Sequence, residues 1–137
     1  MKNIKFLFLS FLMLFMVSCS KEKSSDNQNI ATNQSGKISI LFLTQDGCGS
    51  CDALKDTFKR AEVKKILDSD FEVKFVDVSQ MDTLPKGLME PYGTPTLYFM
   101  SPDGSKEIHD PLVGPLEESD MIELLNQVIN DFKASSK

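Results

Sequence analysis

Two cysteines three residues apart, in Cys48-Gly49-Ser50-Cys51, sit between an apolar run and a helical pattern. The run, Ile38-Ser39-Ile40-Leu41-Phe42-Leu43-Thr44, is β-prone and apolar on both faces, as expected of a strand in the middle of a sheet. Asp46-Gly47 breaks it. Beyond the cysteines Leu54, Phe58 and Ala61 recur at three- to four-residue steps, with Lys55, Asp56, Lys59 and Arg60 opposite. Helix, or helix plus turn, is expected as far as Leu67.

The rest of the chain continues the alternation. Phe71 to Val78 reads as a strand, and 83–90 as a short helix interrupted near Pro91. Thr96-Leu97-Tyr98-Phe99-Met100 is another apolar strand, and Pro102-Asp103-Gly104 is a turn signal leading to a hairpin partner at 105–109. Met121, Ile122, Leu125, Val128, Ile129 and Phe132 mark one face of a closing helix, with Glu117, Glu118 and Asp120 at its start and Lys133 near its end. The expected order is β-α-β-α-β-β-α, an α/β domain over residues 38–137.

The length of 137 residues suits one domain, and a hydrophobic share of 41% is enough for a core. With 20 acidic against 15 basic residues, and no basic cluster past the N-terminus, an electrostatic nucleic-acid footprint is excluded. Proteins or small molecules are the expected partners, and a monomer the expected state.

The third cysteine, Cys19, belongs to a different argument. Lys2 and Lys5 precede an apolar run from Phe6 to Val17, which has the length of a signal-peptide core and is too short to span a bilayer. It ends in Met16-Val17-Ser18-Cys19, which resembles the lipobox of bacterial lipoproteins, with Met16 where Leu is commonest. The resemblance implies cleavage before a lipid-modified Cys19, a signal peptide at 1–18 and attachment to the outer side of a bacterial membrane, periplasmic in a Gram-negative cell. Ordinary secretion and a retained anchor are the alternatives. A thioether at Cys19 would leave two thiols able to pair only with each other. Residues 19–37 are polar, rich in Ser, Asn and Gln, and read as a flexible tether with an end-to-end distance of roughly 25 Å.

Cys48 follows a strand and opens a helix, where unpartnered backbone N–H groups and the helix dipole stabilise a thiolate. In such motifs the thiol pKa falls from about 8.5 to roughly 3.5–7.5. Cys48 is therefore the expected nucleophile, and Cys51, one turn further in, the resolving thiol. Two other readings compete. A zinc half-site needs two more ligands, for which the chain offers His109 and carboxylates; a structural disulfide would close a very small loop and restrain little unfolded-chain entropy. His109 itself reads as a surface residue rather than a catalyst.

Across about residues 38–133 the chain resembles the thioredoxin-like superfamily, on Cys48-Gly49-Ser50-Cys51, Tyr92-Gly93-Thr94-Pro95-Thr96 and Asp103-Gly104. The resemblance implies a thioredoxin-like fold with a central mixed sheet of about four strands flanked by helices. It further implies that Gly49 and Ser50 form the active-site loop, that a cis bond precedes Pro95 against the CxxC, and that the Thr94 backbone pairs with a substrate peptide. Without the resemblance Pro95 reads as a strand-initiating proline in a trans bond. Two departures stand out: Gly47 occupies the place of a Trp, and Phe42 that of a buried Asp credited with taking the Cys51 proton. Asp46, Lys55 or water is left to substitute. No histidine lies between the cysteines, and no insertion of the cytochrome c maturation type precedes Phe71.

The expected activity is thiol–disulfide exchange with secreted proteins, as a reductant, with electrons from a membrane-borne thiol donor and with no metal or organic cofactor. A disulfide oxidase or isomerase, and a binding or assembly module with a structural disulfide, are the alternatives.

Overall fold

The computed structural model describes residues 35–136. The expected signal peptide, Cys19 and nearly all of the tether lie outside them. Among the described residues no helix is long and apolar enough to cross a membrane.

The elements are β1 (Ile38–Thr44), α1 (Gly49–Phe58), α2 (Ala61–Asp70), β2 (Phe71–Asp77), a 3-10 helix (Val78–Thr83), β3 (Thr96–Met100), β4 (Glu107–Val113) and α3 (Glu118–Ser135). The strands form one mixed sheet in the order β2-β1-β3-β4. β1 runs parallel to β2 and antiparallel to β3, and β3 is antiparallel to β4. A two-faced apolar strand needs neighbours on both sides and cover on both faces. β1 and β3 have them and are buried almost throughout.

One face of the sheet, carrying Ile38, Ile40, Phe42, Leu97 and Phe99, packs against Leu54 and Phe58 of α1, Val63 and Leu67 of α2, and Met121, Leu125 and Val128 of α3. On the other face Leu41, Tyr98 and Met100 are covered by Leu84 and Leu88 from the connection between β2 and β3. The stripe on α3 is the one the sequence marks, with Ile122, Ile129 and Phe132 packed at its margin.

Two connections differ from expectation. The helical stretch after β1 is split at Lys59 and Arg60, whose N–H groups close short turns onto Asp56 and Thr57 carbonyls at 3.1 Å. Continuing the α1 stripe would bring Ala61 and Lys65 to the core, whereas the large apolar residues are Val63, Ile66 and Leu67. The break resets the phase, and Ala61 ends exposed. Between β2 and β3 the helix expected over 83–90 is absent. A 3-10 helix precedes that stretch instead, started by Asp77, whose carboxylate accepts from the Ser79 N–H at 2.9 Å. Pro85 holds Leu84 extended (φ −67°, ψ 151°), and Gly87 has φ 92°.

β4 extends further than expected, to Val113, and tolerates Pro111 because it is an edge strand among the described residues. His109 is more than a surface residue: its Nδ1 meets Asp131 Oδ2 of α3 at 2.8 Å, and its ring stands edge-on to Phe99 at 5.9 Å.

The turn between β3 and β4 is held by Asp103, whose carboxylate accepts from the Ser101 hydroxyl at 2.5 Å and from the Ser105 N–H at 3.1 Å. The Ser101 hydroxyl first, then the Ser105 groups, hold the Asp103 carboxyl down to about 2. A depressed folded-state pKa stabilises the fold above the unfolded value of about 4 and withdraws that stability as pH falls toward 2. Asp103→Ala should therefore flatten the pH dependence of unfolding between about pH 4 and 2, measured by urea denaturation at stepped pH.

Candidate active site

The end of β1 and the start of α1 are joined by three exposed residues, of which Gly47 takes φ 71°, a conformation that side chains other than glycine's rarely adopt. This turn sets Cys48 at the N-cap of α1, with extended backbone (φ −85°, ψ 95°). Its sulfur does what a Ser or Asp oxygen does at other helix starts: Sγ accepts the Cys51 N–H at 3.1 Å. The Cys48 carbonyl accepts the Asp52 N–H at 3.2 Å, opening the helical ladder.

Cys48 and Cys51 are joined by a disulfide, with their Cα atoms 5.2 Å apart. The two sulfurs occupy different surroundings. Both border the apolar cluster of Phe42, Leu54, Phe58 and Leu97, but Cys48 keeps 9% of its surface exposed and Cys51 none. A reagent arriving from outside can meet only the first.

The segment 91–95 comes against this motif. The Thr94–Pro95 bond is cis, as the resemblance implied, and Pro95 is buried. Its carbonyl accepts the Gly114 N–H at 2.9 Å, which ties it to the start of the connection to α3, and the Thr96 hydroxyl donates to the Gly93 carbonyl at 2.7 Å. The two halves meet through Ser50, whose hydroxyl donates to the Thr94 carbonyl at 3.3 Å and stands 3.6 Å from Cys48 Sγ. The Thr57 hydroxyl ties α1 to the connection between β4 and α3 by donating to the Leu116 carbonyl at 2.9 Å.

Phe42 is fully buried and lies between two rings: Phe58 of α1 edge-on at 5.6 Å, and Phe75 of β2 tilted at 5.0 Å. An aromatic wall thus stands where a buried carboxylate was looked for. Asp46 is exposed in the turn before Cys48, and Lys55 pairs with Asp52 on the surface at 3.4 Å.

Cys48, Gly49, Ser50, Cys51, Thr94 and Pro95 are therefore gathered in one place, while Cys19 lies outside the described residues. Sequence reasoning gave Ser50 a position but no partner, because its contact is 44 residues away. It also missed the apolar surface beside the motif. Tyr92 is 88% exposed, and Val113, paired with Thr96 next to Pro95, is 46% exposed; neither carries a local signal of exposure. Among the described residues no three His, Cys, Asp or Glu side chains are placed to hold a metal ion.

No family model and no curated protein matches the sequence. Solved structures do match the fold. A thioredoxin from Thermus thermophilus is 20% identical, with 74% of this chain and 81% of that one covered at a TM-score of 0.58. A disulphide isomerase from Xylella fastidiosa Temecula1 is 16% identical, with 70% and 81% covered at a TM-score of 0.53. The sheet order, the helices on its faces and these two likenesses together establish that the chain has the thioredoxin-like fold.

Proposed function

We propose that the protein is a thiol–disulfide oxidoreductase that reduces disulfides of proteins outside the cytoplasm. The observation that carries this reading is the asymmetry of the Cys48–Cys51 pair: Cys48 on a helix N-cap keeps a narrow exposure of 9%, Cys51 keeps none, and the Thr94–Pro95 segment lies beside them. A structural disulfide has no need of that asymmetry. The fold supports the reading further, since its neighbours are a thioredoxin and a disulphide isomerase.

In the reduced protein the Cys48 thiolate attacks one sulfur of a substrate disulfide, forming a mixed disulfide and expelling the other substrate sulfur as a thiolate that takes a proton. Cys51 then loses its proton and attacks Cys48 Sγ, which breaks the mixed disulfide and releases the second substrate thiol. Two electrons and two protons pass to the substrate, and the protein is left as the Cys48–Cys51 disulfide. Its return to the dithiol requires an external dithiol, itself oxidised to a disulfide. Thr94 and Pro95 position the substrate chain so that its sulfur lies in line with Cys48. Gly49 and Ser50 complete the loop, and the chemistry calls for no metal or organic cofactor.

The sequence around Cys48 supports the direction toward reduction: no imidazolium sits between the cysteines to stabilise the thiolate further and make the pair a strong oxidant. Site and address also combine. Lipid on Cys19 would hold the domain at the membrane surface, where a membrane-borne thiol donor could recharge it and secreted proteins could reach it.

The cysteine roles predict opposite outcomes for two variants. With a disulfide-containing protein substrate, Cys51→Ser should accumulate a mixed disulfide through Cys48, seen as a reducible mass increase. Cys48→Ser should form no such complex, and its exchange rate should fall to that of the uncatalysed reaction. Equal trapping by both variants would sink the assignment. For the address, radiolabelled palmitate should enter the wild-type chain and not Cys19→Ser, which should also leave the membrane fraction.

A further inference from the structure

Resting on the proposed exchange activity, we propose that the Ser50 hydroxyl is a positioning donor that changes partner with the redox state, bonded to the Thr94 carbonyl in the disulfide form and to the Cys48 thiolate in the reduced form. Ser50 has one hydroxyl proton and two acceptors, the Thr94 carbonyl at 3.3 Å and Cys48 Sγ at 3.6 Å. The hydroxyl oxygen also stands farther from the carbonyl than the usual 2.7–2.8 Å of an O–H···O bond. It therefore lies within reach of both partners and is held only loosely by the carbonyl. In the disulfide Cys48 Sγ has no proton and no charge, so it can only accept, and weakly. The Thr94 carbonyl is therefore the stronger acceptor, and the hydroxyl donates to it.

Reduction changes the balance. A dithiol donor supplies two electrons and two protons and becomes a disulfide, and the S–S bond opens. Cys51, enclosed among apolar side chains, retains its proton, while the Cys48 thiol releases its own to solvent. A thiolate accepts a charge-assisted bond about twice as strong as a neutral one, so a small rotation about the Ser50 side chain turns the hydroxyl to Sγ. There it joins the Cys51 N–H, already directed at the same sulfur from 3.1 Å. The Thr94 carbonyl, next to the cis bond, loses its donor and becomes free to accept a backbone N–H from an extended peptide. The reduced protein thus presents a better docking edge than the oxidised one, which favours capture before the reaction and release after it.

Charged groups close to the motif are few. Asp46 is exposed in the turn before Cys48, and Asp52 and Lys55 of α1 pair with each other. Apart from the Tyr92 phenol, residues 91–95 and the 114–116 stretch carry no ionisable side chain. A hydroxyl donor therefore has a measurable share in the stability of the thiolate.

The test is the rate of iodoacetamide alkylation at Cys48 against pH, read by peptide mass spectrometry on the full chain in detergent after reduction with dithiothreitol. It compares wild type, Ser50→Ala and Ser50→Thr. The midpoint should rise by about one pH unit in Ser50→Ala, a tenfold loss of thiolate at acidic pH, and return toward wild type in Ser50→Thr, which keeps the hydroxyl. A midpoint unchanged in Ser50→Ala, or raised equally in both variants, overturns the inference and leaves the exchange activity standing. A wild-type midpoint at the ordinary thiol value of about 8.5 overturns the exchange reading and this inference together.

Discussion

The structure depends on the placement of one sulfur. Cys51 is fully enclosed by the apolar side chains that also close the helix-covered face of the sheet, and its bonded partner at the rim of the same cluster keeps 9% of its surface exposed. That arrangement requires a strand and a helix to meet at a sharp turn, which Gly47 supplies, and it requires the helix to bury the one face that begins at Cys51. Leu54 and Phe58 do so by continuing the Cys51 stripe onto Phe42 and the α3 residues. Core packing and the geometry of the disulfide are therefore one construction: the contacts that stabilise α1 on the sheet also present Cys48.

The aromatic wall behind the motif gives this chain a character of its own. Phe42 packs on Phe58 and Phe75, and contacts of this kind contribute about 0.5–1.5 kcal/mol each beyond the area they bury. A carboxylate at the same position would incur a desolvation cost and would offer a base to Cys51; the phenyl ring does neither. In the proposed exchange, proton removal from Cys51 would fall to groups outside the core, to solvent or to the departing thiolate. Stability and proton transfer are traded against each other at this one position.

Much of this was legible in the sequence, for local reasons. β1 announces itself because apolar residues on both faces leave it no place but the middle of a sheet, and the stripe on α3 needs only its own spacing. The cysteine pair marks the strand-to-helix junction, while Tyr92-Gly93-Thr94-Pro95 marks the segment that faces it only through the resemblance to the thioredoxin-like superfamily. What stayed hidden is non-local. The break at Lys59 and Arg60 has no proline or glycine to flag it; it follows from the need of Val63 and Leu67 to face a core that α1 already occupies at a different phase. Phe75 becomes the neighbour of Phe42 only through the parallel register of β2 on β1. Ser50 meets Thr94 only once the sheet has formed. In 83–90 the expected short helix is prevented by Pro85 and Gly87, which hold the backbone in non-helical conformations.

The central claim is that Cys48 and Cys51 form a redox couple tuned for exchange rather than a brace. Its most direct measurement is the reduction potential of the pair in the full chain, equilibrated in glutathione buffers and quantified by thiol alkylation. The account predicts a value near −270 mV, reached within minutes of mixing. A value well below about −300 mV, with the disulfide slow to exchange, would mark the pair as structural and contradict the account.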